Sequence, residues 1–334
     1  MSYNPVNLKS YNTFKVEATA TRLSVVTSVS QLKKTIKSDS LRKFVLGGGS
    51  NVLFTKHMHA HILLNEIQSI KLLKESAKYA YVKVGAGMNW HQFVLWTLDR
   101  GYSGLENLSL IPGKVGAAPI QNIGAYGVEQ KDCFIELEAI DLVNGSKIIV
   151  DKKACRFGYR ESLFKHEARL RYCITSVTYR LNKKYQPQLS YGAINQELDK
   201  SGISTPTAKD VSQVIIDIRS SKLPDPEVLG NAGSFFKNPV VPMDLYERIA
   251  STHPKMPSYP VDESSKKIPA GWLIEQCGWK GKRVGRVSCY EKQALVIVNH
   301  GETDGQLIQK HALNIKKSVF SKFGINLQNE VNIF

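Results

Sequence analysis

LSLIPGKVGAAPIQNIGAYGVE, Leu108 to Glu129, sets Gly113, Gly116, Gly124 and Gly127 among small side chains and two amides, Gln121 and Asn122. So many small residues in an apolar run imply a backbone lying closely against something flat or long, because glycine permits approaches that a Cβ forbids. Gln121 and Asn122 add donors and acceptors to that surface. A bound cofactor accounts for the pattern, and so does a tightly packed loop with no ligand. The rest of the chain has to decide between them.

Upstream, KFVLGGGSNVLF (Lys43 to Phe54) reads as an apolar strand broken by Gly47, Gly48, Gly49 and Ser50. A strand that runs into glycines brings bare backbone N–H groups against phosphate oxygens. The run lacks the Lys-Ser/Thr of a P-loop and the spacing of a Rossmann turn, so taken alone it is equally a flexible hairpin. VKVGAGMNWHQFVLWTLDRGYSG (Val82 to Gly104) repeats strand, glycines and helix, with Trp90, Phe93, Val94 and Leu98 on one face and a stop at Gly101. SVSQLKKTIKS (Ser28 to Ser38) is a further helix with a serine start.

Downstream, FIELEAIDLVNGSKIIV (Phe134 to Val150) predicts two strands around Asn144-Gly145, a strong hairpin signal. CRFGYRESLFK gathers Tyr159, Arg160, Ser162 and Lys165, and RYCITSVTYRL (Arg171 to Leu181) returns to strand. Helices are expected in SYGAINQELDKSG and PTAKDVSQVIIDIRSSKLPDP, the second ended by Pro224 and Pro226. NAGSFFKNP (Asn231 to Pro239) then reads as a tight turn presenting the Ser234 hydroxyl beside two aromatics and a cation. A Gly-Ser pair is commonly plain turn punctuation, so the fragment by itself does not establish chemistry. Further helices are read in MDLYERIASTHP, KIPAGWLIEQCGWKGKRVG and DGQLIQKHALNIKKSVFSKFG, with strands in QALVIVN and in the closing INLQNEVNIF, which carries Glu330.

The chain has 334 residues, 42% hydrophobic and 22% charged, enough to bury real cores in two or three domains. Lys and Arg exceed Asp and Glu by 45 to 29, a formal charge of +16 that favours anionic partners. The basic residues are dispersed rather than massed in a tail or a single helix, which argues for a small phosphorylated ligand over nucleic acid. The five cysteines are widely spaced and never form a C-x-x-C pair, so neither a disulfide framework nor a structural zinc site is expected, and no metal is implied. No leader and no long apolar span is read, pointing to a cytoplasmic protein off the membrane.

Together, VLGGGSN, IPGKVGAAPIQNIGAYG, YRESLFK, KLPDP, NAGSFFKNP, GWLIEQCGWKG and a terminal L-x-x-E-V resemble the UDP-N-acetylenolpyruvoylglucosamine reductases, from about Asn12 to Glu330. The resemblance implies an α+β chain with an FAD-binding fold of the vanillyl-alcohol-oxidase type. It implies FAD-binding subdomains at 1–68 and 69–219, the second joined by the final strand 325–334, and a substrate domain at 220–324. It also implies non-covalent FAD, NADPH as hydride source, and the UDP-N-acetylmuramate dehydrogenase reaction. NADPH reduces FAD, flavin N5 passes the hydride to the vinyl carbon of UDP-N-acetylglucosamine enolpyruvate, and the adjacent carbon receives a proton.

Carried over residue by residue, Gly47, Gly48, Gly49, Ser50 and Asn51 match the pyrophosphate turn. Pro112, Gly113, Gly116, Gln121, Asn122, Gly124, Ala125 and Gly127 match the stretch that lines FAD. Ser234 matches the proton donor, and Arg160 and Glu330 match the groups that engage the substrate carboxylate. Lys222 and Tyr191 match contacts to the UDP phosphates, Asn238 and Gln293 match polar contacts to the nucleotide sugar, and Lys237 adds charge. Tyr191 marks the subtype with an extra covering loop, and a monomer is expected.

The chain departs from the family pattern at Tyr290, where His is usual, and at Asn329 and Asn332 around the final acid, which bears on how the last strand is anchored. Two rival readings are another flavin oxidoreductase of the same fold, for which His91 between the glycine stretches would matter, and a basic binding protein that has lost the reaction.

Overall fold

The computed structural model describes residues 4–334, so the first three residues of the expected first subdomain lie outside it. The chain divides by its own internal contacts. It clusters into two compact units: one comprises 1–6, 20–48 and 59–221, the other 7–19, 49–58 and 222–334.

The first unit holds two sheets. One runs in the order Val6–Asn7, Thr19–Val26, Met58–Asn65 and Lys43–Leu46, the last two strands parallel with Lys43 opposite His61. Its helix, Val29–Ile36, starts where the sequence places it, because the Ser28 side chain accepts from the Gln31 amide and satisfies an orphan donor of the first turn. Leu32 and Ile36, one turn apart, bury its apolar face. Asp39 draws the strands together, accepting from Lys43 at 2.6 Å, His61 at 2.8 Å and Arg22 at 3.0 Å. Burial works to raise the Asp39 carboxyl, but Lys43, His61 and the Leu41 amide outweigh it and hold it well below the usual carboxylate range.

The second sheet is five-stranded and antiparallel, in the order Lys147–Asp151, Phe134–Asp141, Tyr172–Asn182, Tyr79–Gly85 and Ile70–Glu75. The helix Trp90–Asp99, capped by Asn89, packs its aromatic face on this sheet. Trp90 and Phe93 lie edge-on or tilted to Tyr179 with centroids 5.9 and 5.6 Å apart. These aromatics are core, and the Trp90 indole N–H, which needs an acceptor once buried, donates to Leu108 O at 2.9 Å. The core thus clamps the first residue of the glycine-rich stretch. Two later helices, Gly192–Lys200 and Ala208–Lys222, share a small core of Ile194, Leu198, Val211, Val214, Ile215 and Ile218, against which Tyr126 packs.

The second unit is built on an antiparallel sheet in the order Gly230–Ser234, Val296–Asn299, Val287–Cys289 and Arg283–Val284. The helix Gly305–Phe323, capped by Asp304 and ended at Gly324 with φ 71°, packs against it. A smaller sheet orders Val240–Pro242, Ser265–Lys267 and Tyr259–Asp262. The chain end pairs parallel with the other border of the glycine run, Asn332 opposite Val52 and Ile333 opposite Leu53. The expected strand over 325–334 therefore forms only at Asn332–Ile333, and its partner is Val52–Leu53 rather than the five-stranded sheet.

All five cysteines are free, and burial pushes the thiols of Cys133, Cys155, Cys173 and Cys289 up to about 12. Among the described residues no helix is long and apolar enough to cross a membrane.

His311 offers a test of the second core. It is 3% exposed, packs edge-on to Trp279 at 5.1 Å and has no partner for Nδ1. Burial, aided by the charge of Lys282, depresses its pKa to about 4. Because the folded value lies below the unfolded one, the unfolded chain binds the extra proton between about pH 6.5 and 4. Stability is therefore intact above that window and falls through it on acidification, by up to roughly 3 kcal/mol. Thermal melts of His311→Leu and the parent at stepped pH values should show a flatter slope in the variant; parallel slopes would remove His311 from this account.

Candidate active site

Ser234 is not on a free turn. Gly230–Ser234 is a strand paired with Val296–Asn299, and its register slips between Asn231, opposite Val298, and Ser234, opposite Val296. Three residues on one side span two on the other, a bulge that Gly233 makes possible at φ 68°. Bulges of this kind re-aim the side chain that follows them. Asn231 fixes its start, donating to Pro224 O at 3.1 Å and Leu229 O at 2.8 Å while accepting the Gly233 amide at 2.9 Å. Behind the serine, Phe235 and Phe236 are buried with centroids 5.1 Å apart, forming a rigid wall.

The same segment carries the chain end. Phe235 O accepts from the Glu330 amide at 2.8 Å, Phe236 bridges Asn329, and the Lys237 amide donates to Gln328 O at 2.9 Å. Ser234 and Glu330, 96 positions apart in sequence, are thus brought to one ladder within the second unit. Asn51 closes the group, donating its side chain to Glu330 O at 3.4 Å. Asn332, one of the departures, donates to Asn51 O at 3.2 Å and receives that register from its own backbone as well. The last strand is therefore anchored by an asparagine, whereas Asn329 leaves its Oδ1 buried and without a partner.

The glycine run is where the chain passes from one unit to the other, and each side fits an anion-binding turn. In the first unit Gly48 abuts Gly113, so that a Cβ on it would come 3.2 Å from Gly113 Cα. The two sequence stretches expected to hold FAD are thereby in contact. In the second unit Gly49 takes φ 65°, and a Cβ there would run into the Tyr11 carbonyl, so only glycine serves. Among the described residues the amides of Gly48, Gly49 and Ser50 have no acceptor within the protein. Of the three residues Gly49 is buried, a buried N–H seldom goes without a partner, and a pyrophosphate oxygen would supply one.

The longer stretch is more mixed than its composition promises. Gly113 takes φ 109° and its carbonyl accepts from the Trp90 amide at 3.0 Å. Gly116 donates to Ala86 O at 2.9 Å, and a Cβ on it would lie 2.5 Å from that of Ala86; what it packs against is the neighbouring strand end. Asn122 is fully buried and Gln121 half-buried. Gly124–Ala125 pairs with Val128–Glu129 as a short hairpin with Tyr126 at φ 49° and Gly127 at φ 81° in its turn. Pro112 is exposed.

Arg160, in the first unit, stands third in the tight turn Gly158–Glu161, whose end residues exchange both backbone bonds. Its φ of 55° is left-handed, a position that favours glycine or asparagine. An arginine held there costs about 1–2 kcal/mol, the kind of local strain that collects at functional sites. Its Nη2 donates to Gly124 O at 2.6 Å.

Arg219 belongs beside it, and nothing in the motifs singled it out. Burial lowers its pKa, the hydrogen bond it donates to Tyr126 opposes that and the nearby charge of Arg160 adds to it, while its buried Nε has no partner. One signal was available: Arg219 follows Ile215 by four residues, on the buried face of its helix, where a cation needs a reason. His91 accepts the Leu110 amide on Nδ1 at 3.0 Å, so that nitrogen is engaged within the protein.

The remaining residues divide between the units. Tyr191, 41% exposed, meets Tyr126 edge-on at 5.2 Å in the first. In the second, Lys222 is exposed at the end of its helix and Lys237 is half-buried beside the Ser234 bulge. Asn238 accepts the Ala270 amide at 2.9 Å, and Gln293 Oε1 lies 3.0 Å from where a Cβ on Gly271 would sit. Both therefore converge on the start of the helix Ala270–Gln276.

A family model for an FAD binding domain matches residues 22–150, and one for the C-terminal domain of UDP-N-acetylenolpyruvoylglucosamine reductase matches residues 225–334. The chain is 48% identical over 329 residues to the UDP-N-acetylenolpyruvoylglucosamine reductase of Flavobacterium johnsoniae, covering 98% of each. To the protein of that name from Pseudomonas aeruginosa it is 45% identical over 331 residues, 98% of this chain and 97% of the relative. The crystal structure of a UDP-N-acetylenolpyruvylglucosamine reductase from Thermus caldophilus superimposes with TM-score 0.68 at 24% identity, covering 99% of this chain and 98% of that one, which shows a shared fold.

Proposed function

Since the chain belongs to the UDP-N-acetylenolpyruvoylglucosamine reductase family, we propose that it reduces the enolpyruvyl ether of UDP-N-acetylglucosamine to UDP-N-acetylmuramate, for peptidoglycan synthesis, with NADPH as reductant. The observation that supports the reading is the Glu330 amide bonded to Phe235 O, which brings residue 330 to the strand that carries the serine bulge. Bound FAD would supply the hydride for the vinyl carbon, and the amides of Gly48, Gly49 and Ser50 would hold its pyrophosphate.

The protein's own part is to orient the substrate, balance its charge and deliver one proton. Arg160 grips the substrate carboxylate, a task suited to a guanidinium that stays charged and offers paired donors. Arg219 adds a second cation against the negative charge that develops during transfer. Ser234 gives its hydroxyl proton to the carbon beside the new C–H bond. A neutral alcohol is a weak acid, but it suffices for a strongly basic carbon when already in place. Glu330 shares a proton with the substrate acid.

Lys222, Lys237 and Tyr191 take the diphosphate, and Asn238 with Gln293 take the sugar. FAD is held without a covalent bond, in keeping with a His91 ring engaged at Nδ1 by the Leu110 amide. The substrates are soluble nucleotides, and we read a cytoplasmic monomer.

The test is spectroscopic. The purified protein should be yellow, release FAD on denaturation, bleach with NADPH under nitrogen, and regain its colour on adding UDP-N-acetylglucosamine enolpyruvate. Flavin that bleaches but is not reoxidised by that substrate would defeat the proposal.

A further inference from the structure

We infer that Asn122, Gly124 and Ser162 form a seat that fixes Arg160, and that they are positioning residues for the carboxylate-gripping step rather than contacts to the cofactor. The inference rests on the role given to Arg160 above. A side-chain amide has two N–H donors and an oxygen with two lone pairs. In Asn122, Nδ2 donates to Gly158 O at 3.0 Å and to Glu129 Oε2 at 2.9 Å. Oδ1 accepts from the Lys131 amide at 3.2 Å and from Gln130 Nε2 at 3.4 Å. The residue is fully buried, and its capacity is used up inside the protein, so none is left for a ligand.

What Asn122 holds is the base of the Arg160 turn. Gly158 lies two residues before Arg160, and Ser162, two residues after it, donates to Ile120 O at 2.6 Å. Two tethers from the 120–122 segment therefore flank the strained residue on either side. Between them the Gly124 carbonyl receives Arg160 Nη2 at 2.6 Å. A methyl on Gly124 would sit 3.3 Å from Arg160 Nη1 and 2.9 Å from Glu129 Cγ, so glycine leaves the room in which the guanidinium rests. Gly124 is not among the left-handed glycines, so an alanine there meets no φ penalty and presses on Glu129, Arg160 and the Val128 carbonyl 3.0 Å away. Glu129, itself paired with Lys131 at 2.6 Å, completes the support.

Flavin-loaded holoenzyme is reduced with NADPH and mixed with UDP-N-acetylglucosamine enolpyruvate, and reoxidation is followed by stopped flow. FAD affinity is measured separately by fluorescence on the stripped protein. Asn122→Ala should slow reoxidation by about 10–100-fold, as a misplaced catalytic group does, with FAD affinity and the rate of reduction by NADPH little changed. In an Arg160→Ala background the same substitution should add less than about twofold, because residues acting through one another are not additive. Gly124→Ala and Ser162→Ala, read in the same pair of backgrounds, carry the test if Asn122→Ala fails to fold.

Slowing that persists in full without Arg160, or a loss of FAD affinity with reoxidation of bound flavin unchanged, would overturn the seat. Parent-rate reoxidation in Arg160→Ala alone would instead remove the role of Arg160 and the seat with it.

Discussion

Ser234→Ala should slow reoxidation of the reduced holoenzyme by the enolpyruvyl substrate by about 10²–10⁴-fold, the range a positioned proton donor contributes. Reduction by NADPH should stay within about twofold of the parent, since that half of the cycle has no proton to place on the substrate carbon. The substitution removes one half-buried oxygen and leaves the strand, the bulge at Gly233 and the ladder to Glu330 intact, so a folding defect is not expected. Stopped-flow traces of the two half-reactions separate the outcomes. Near-parent reoxidation would end the assignment of Ser234. Equal slowing of both halves would point to a damaged flavin site instead of a missing proton.

Gly49→Ala should be the most damaging single methyl in the chain's cofactor region. The residue is at φ 65°, where a Cβ costs about 1–2 kcal/mol, and that Cβ meets the backbone carbonyl of Tyr11, which cannot rotate aside. Forced displacement in a packed site adds about 1–3 kcal/mol. The Thr13 amide also bonds Gly49 O at 3.2 Å, so the shift propagates into residues 11–13. We expect a clear drop in the urea midpoint together with protein purified without flavin. Gly145→Ala is the control, since Gly145 has a similar φ of 75° but nothing near its missing Cβ. A full FAD complement and an unchanged midpoint in Gly49→Ala would refute the account of this turn.

Local chemistry was legible in the sequence. Ser28 and Asn89 each begin a helix by accepting a backbone amide three residues on, as their side chains dictate. The hairpin around Asn144-Gly145 and the apolar face of Trp90–Asp99 likewise depend on neighbours within a few positions. What escaped depends on partners far away in the chain. Gly230–Ser234 read as a turn because its strand character comes from Val296–Asn299, and the bulge that aims Ser234 exists only in that pairing.

Asn122 sat in a glycine-rich stretch whose composition suggested a ligand surface, yet its bonds run to Gly158 and to the backbone of Lys131. Asn332 looked like a loss from the family pattern and proves to be an anchor, because its side-chain amide donates to Asn51 O. Arg160 was found by its motif, but nothing in the residues around it announced a left-handed turn.

The division of the chain has a bearing on how the molecule is made. The second unit is assembled from 7–19, 49–58 and 222–334, so its pieces must wait through the synthesis of about 160 intervening residues before closing that loop. Val52–Leu53 has no strand to pair with until Asn332–Ile333 leaves the ribosome. Such long-range closure is slow and leaves strand edges exposed to aggregation in the interval. A chain interrupted near residue 221 would carry Arg160 and the whole glycine run yet lack Asn332–Ile333, the strand that pairs with Val52–Leu53 just past that run. The far border of the turn at Gly49, Asn51 to Leu53, therefore gains its partners only once residues 281 positions downstream have been made.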